Sequence, residues 1–150
     1  MVIDVLRVFH MLAAAVWLGG TVALVFAGVP VIRTLTGEER ARAMRMLGRR
    51  WRPWGWGSLG VAVVTGAVLA SREAGESVFD AVLTAKVLAV GLLMVGAYLH
   101  DFVLGPALAR QIREGEPQTL RPRMVVVGWT NFALTVAAPV LGVVLTTLAE

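Results

Sequence analysis

Apolar residues fall into four long runs separated by short polar stretches: Val5–Ile32, Trp54–Ala70, Val78–Leu104 and Met124–Leu148. A helix rising ~1.5 Å per residue needs roughly 20 residues to cross a bilayer core. These runs fit, the second being the shortest. The first is not read as a cleaved leader, because it lacks a basic start and far exceeds the roughly 7–15 apolar residues of a leader core. Four spans with short connections predict an all-α integral membrane protein. They would form an antiparallel four-transmembrane-helix bundle, with residues 1–150 as a single domain.

Composition strengthens this reading. Apolar residues make up 57% of the chain and charged ones 16%, against roughly a quarter charged in soluble domains. The chain has no cysteine, which excludes a disulfide framework, a thiolate metal site and a cysteine nucleophile. The net charge of +4 acquires meaning only when its arginines are placed. Arg33, Arg40, Arg42, Arg45, Arg49, Arg50 and Arg52 lie between spans one and two, beside Glu38 and Glu39. Arg110, Arg113, Arg121 and Arg123 lie between spans three and four, beside Glu114 and Glu116. The middle connection sets Arg72 against Glu73, Glu76 and Asp80, and the chain ends on Glu150. The positive-inside rule then places both arginine-rich loops in the cytoplasm and both termini outside the inner (plasma) membrane. The partner this implies is the lipid bilayer. Without base-stacking aromatics interleaved on a solvent face, nucleic acid is not expected as a partner.

Within the first loop, Thr36 and Glu39 have capping-box spacing. Ala43, Met44, Leu47 and Trp51 then recur on one face, opposite arginines. This predicts a short amphipathic cytoplasmic helix on the inner leaflet, anchored by Trp51, Trp54 and Trp56 and ended by Pro53. In span two, Ser58, Ala62, Gly66 and Ala70 recur every four residues, a spacing that lets helix backbones approach closely in lipid.

Ionisable groups inside a membrane are costly, so each needs a reason. Asp4 and Arg7 lie near the outer boundary, where they can pair and snorkel. His10 and Lys86 each lie about eight residues into spans running the same way, at ~10–12 Å depth. Thr65, on the returning span, falls at a comparable level. Imidazole, ammonium and hydroxyl could thus converge in the outer leaflet, with Trp17 two turns below His10 to wall a planar ligand. His100 follows Lys86 by four turns, ~21 Å further in, and Asn131 falls near the same level. Two polar stations result, one per leaflet, to be weighed against packing histidines, a snorkelling lysine and an asparagine that glues helices.

The segment from His10 through Trp17 to Gly19 and Gly20, followed by Pro30, resembles the first helix of the copper-resistance protein D (CopD) family. The arginine-rich loop, the Thr65-Gly66 pair and Lys86 extend the resemblance along essentially the whole chain. HemJ-type protoporphyrinogen oxidases are similar more loosely, through the first-helix His and Trp and through Lys86, Tyr98 and His100. Their Leu-Pro-Arg element after the tryptophan is absent here. The resemblance implies a copper or haem role facing the periplasm.

Copper transport favours thiolate or thioether ligands, or several imidazoles along a path. This chain has no cysteine, no methionine ladder and one histidine per leaflet. Haem b needs one imidazole, an apolar slot and a cation for its propionates. His10 as axial ligand, a slot of Trp17 and glycines, and Arg7 or Lys86 near the propionates would meet those needs. Haem binding for redox or haem chemistry is therefore the first expectation. Copper uptake or delivery, with His10 and His100 as metal ligands, is the second. A non-catalytic accessory subunit of a larger membrane redox complex is the third. A homodimer would pair equivalent histidines.

Overall fold

A computed structural model describes residues 2–73 and 77–148. Within it, nearly every residue is helical. The first span is α1 (Val2–Ala23), a π-helical turn (Leu24–Gly28) and α2 (Val29–Arg33) in one continuous rod. After a tight turn comes α3 (Gly37–Glu73). The third span is α4 (Ser77–Tyr98), a second π turn (Leu99–Leu104) and α5 (Gly105–Glu114). The fourth is α6 (Arg121–Leu148). Four helical stretches are thus long and apolar enough to cross a membrane: Val2–Arg33, Gly37–Arg72, Asp80–Glu114 and Arg121–Leu148. In hydrocarbon a helix satisfies its own backbone polar groups, so long apolar runs settle into this form.

The chain divides into two compact units, Met1–Asp80 and Ala81–Glu150. Each is an antiparallel helical hairpin, as the side-chain neighbours show. In the first, His10 lies against Gly66, Trp17 against Gly55, Gly20 against Trp51 and Gly28 against Leu47. Numbers rise on one helix as they fall on the other. In the second, Lys86 lies against Gly142, Gly96 against Asn131 and His100 against Gly128, with the same inversion. In α1 the less exposed residues include Leu6, His10, Ala13, Ala14, Trp17, Leu18 and Thr21, at the spacing of one helical face. Val8, Met11, Leu12 and Val16 on the other face are exposed, as lipid contact requires.

Glycine chemistry makes both turns. Gly37 has φ +51° where the chain re-enters a helix, and Gly115 has φ +70° where α5 ends, a left-handed backbone that glycine adopts without strain. At Gly115 the amide of Glu116 donates to the carbonyl of Gln111 at 2.9 Å, closing the helix end. The Gln111 amide then donates to Thr119 Oγ1 at 2.9 Å and steadies the loop.

Proline is handled in two ways. Each π turn ends two residues before a proline, Pro30 or Pro106. The amide just before the proline bonds five residues back, Val29 to Leu24 and Gly105 to His100. A proline ring collides with the carbonyl four residues earlier and offers it no hydrogen, and the widened turn accommodates that carbonyl. Pro53 and Pro139 instead lie inside helices. This corrects the expected short helix ending at Pro53: residues 37–52 are the first turns of α3, which runs on to Glu73. Pro53 forfeits one backbone bond, and beside it Trp51 lies against Trp17 across the hairpin, ring centroids 6.3 Å apart.

Candidate functional site

His10 is held by two contacts across the first hairpin. Its Nδ1 lies 2.8 Å from the carbonyl oxygen of Ala62 and 3.1 Å from Thr65 Oγ1. A carbonyl only accepts, so Nδ1 must carry the hydrogen. The Thr65 hydroxyl already donates to the Val61 carbonyl at 2.6 Å, which leaves its lone pair facing Nδ1. Both contacts therefore select one tautomer, in which the neutral ring carries its lone pair on Nε2. Gly66 makes room for the ring: a Cβ there would come within 2.9 Å of His10 Cε1. Thr65 is buried and His10 partly so.

His100 is tied in the same sense by a different group. Its Nδ1 lies 3.0 Å from Asp101 Oδ1, both residues sitting within the second π turn. A carboxylate also accepts, so here too Nδ1 is the donor. Metal-binding imidazoles are usually oriented by such a donation to a carbonyl or carboxylate.

The other expected residues distribute as follows. Lys86 brings its Nζ to Gly142, where an added Cβ would stand 3.1 Å away. Asn131 packs its amide onto Gly96, one turn along α6 from Gly128, the neighbour of His100. Trp17 lies against Trp51 and Gly55 in the interface of the first hairpin. Arg7 is exposed near the start of α1. His10, Thr65 and Trp17 belong to the first unit and Lys86, His100 and Asn131 to the second. Among the described residues, no group of three or more His, Cys, Asp or Glu side chains could hold a metal ion.

Two partners escaped the sequence reading. The Ala62 carbonyl is a backbone atom with no signature of its own, and the seat at Gly66 exists only through the register of α1 on α3. Asp101, by contrast, could have been paired with His100 from adjacency.

A model of the copper resistance protein D family matches residues 45–145. The chain belongs to that family. The matched segment includes Thr65, Lys86, His100 and Asn131, whereas His10 and Trp17 precede it. No curated protein and no solved structure matches the chain.

Proposed function

We propose that this copper-resistance-type membrane protein handles copper as cargo, taking the ion on the Nε2 of His10. The observation that carries the reading is the 2.8 Å contact from His10 Nδ1 to the Ala62 carbonyl. It orients the ring through Nδ1, the arrangement in which Nε2 is the ligating atom of a metal-binding imidazole. Imidazole suits copper. One or two imidazoles without thiolates hold an ion loosely, which suits hand-off more than storage. His100, oriented by Asp101, is the second station toward the arginine-rich loops. Protons compete with the metal for Nε2, so copper occupancy falls as pH is lowered.

The test is metal analysis of protein purified in mild detergent from copper-supplemented cells. Copper copurifies with the native chain and is reduced in His10→Ala. Equal copper in the two proteins, or none in either, overturns the reading.

A second reading, haem b, is favoured by one observation: each hairpin carries a single imidazole, and one suffices as an axial ligand. His10 would hold the iron and Arg7, on the same helix, would meet the propionates, the bound group supplying one-electron chemistry. A Soret band in the purified native chain that disappears in His10→Ala would establish this reading in place of copper.

Orientation is part of the proposal. Both termini face outward, so His10 lies in the outer leaflet. A cysteine at Glu73 is labelled by impermeant reagents in intact cells, and one at Arg45 only after permeabilisation. The reverse pattern would move the His10 station to the cytoplasmic side.

A further inference from the structure

A constant shift of 76 residues lays landmarks of the first hairpin's helices on those of the second, while the connecting turns fall at different offsets. It carries Asp4 onto Asp80, Gly20 onto Gly96, Pro30 onto Pro106, Ala62 onto Ala138 and Gly66 onto Gly142. The structural features obey the same shift. Both π turns precede their prolines by the same interval. Gly20 and Gly96 each receive a side chain from the second helix of their hairpin, though from positions one turn apart, since the shift carries Trp51 onto Val127 and not onto Asn131. Gly66 and Gly142 each receive one from the first helix. Leu59 and Thr135, also one shift apart, are both buried. Two apolar hairpins share composition for trivial reasons. They have no trivial reason to share the register of the seat at Gly66 and Gly142, a π turn and a proline.

The residue seated on Gly66 is His10, and the same shift makes it Lys86, the residue seated on Gly142. We propose that the chain is a tandem duplication of one helical hairpin and that Lys86 fills the second copy's version of the His10 seat, deciding which copy takes a metal ion. The metal half of this proposal rests on the copper reading above; the duplication does not. An ammonium has three donors and no lone pair, so it neither ligates nor tolerates a cation beside it. Thr65 becomes Leu141 under the shift, so the second seat also lacks the hydroxyl that steadies the imidazole. One copy is thereby a metal seat and the other a cationic one. Repeats that carry their functional residues at corresponding positions are a recurrent plan in membrane transporters.

The chain has two histidines and no cysteine, which makes the test clean. His100→Ala leaves His10 as the sole histidine. His10→Ala with His100→Ala and Lys86→His leaves a sole histidine at position 86. Nitrogen-15 NMR of each protein reads the imidazole tautomer, and copper titration reads the affinity. The expected result is the same Nδ1-protonated tautomer at both positions. Copper binding at position 86 should be about 10–100-fold weaker for want of the hydroxyl and partly recovered by Leu141→Thr. An Nε2-protonated or freely averaging ring at position 86 overturns the duplicated seat. If the seat is right and the copper reading wrong, the tautomers agree while neither protein binds copper.

Paired cysteines give a second measurement that needs no histidine at position 86. Pairs at 10 and 66 and at 86 and 142 should both cross-link on oxidation. Cross-linking at the first pair alone overturns the common register.

Discussion

The two hairpins share a framework and differ in how firmly each holds its central polar group. In the first, a flat ring with two rotatable bonds is fixed by a carbonyl, a hydroxyl and a glycine. In the second, the end of a flexible four-carbon side chain, Lys86 Nζ and Cε, comes to Gly142. The ring has few rotamers and is preorganised; the lysine side chain has more rotatable bonds. A protein holds most rigidly the group whose geometry it uses, so the contrast singles out the first hairpin as the place where direction matters.

Five substitutions probe this contrast. The largest effect is expected at Gly20. A methyl there would fall on the Trp51 indole, a bulky ring already stacked beside Trp17, so Gly20→Ala costs about 2–3 kcal/mol in thermal or denaturant unfolding in detergent. Its counterpart Gly96→Ala meets only the small Asn131 amide and costs about 1–2 kcal/mol. A neutral Gly20→Ala would mean that the two helices do not pack as described.

Next comes Gly66→Ala, which pushes on His10 and costs about 1–2 kcal/mol. Gly142→Ala costs under about 0.5 kcal/mol, within the range of an inconsequential substitution, because Lys86 Nζ can move aside. If the order of this pair is reversed in melting experiments, the distinction between rigid ring and flexible stem is wrong.

Thr65→Val is milder still. It removes one of two acceptors from His10 Nδ1 and costs about 0.5–1.5 kcal/mol. The tautomer is retained, because the Ala62 carbonyl keeps the hydrogen. Nitrogen-15 shifts that pass to the other tautomer would make Thr65, rather than the backbone, the group that orients the ring.

Different parts of this molecule were legible to different degrees. The four spans could be read directly, since a bilayer imposes a length and an apolarity that few other contexts demand. His10 and Lys86 stood out because polar atoms in hydrocarbon are expensive. Pro53 misled: proline normally ends a helix in water, whereas here α3 continues through it to Glu73. The seats at Gly66 and Gly142 were hidden, because a seat is a relation between two helices and their register is not written in either one. The Nδ1–H of His10 was hidden for the same reason, its acceptor being a carbonyl supplied by α3.

The π turns change what each first helix presents along its length. One extra residue per turn advances every later side chain by about 100° around the rod, at 3.6 residues per ordinary turn. The stripe that faces the partner helix above Leu24 is therefore not continued by simple periodicity below Gly28. Each rod is rephased just before its proline, so its outer and inner leaflet portions address neighbours through differently aimed faces. Deleting a single residue from a π turn, Ala27 or Val103 for instance, would bring that rod back into phase and rotate everything beyond it by one position.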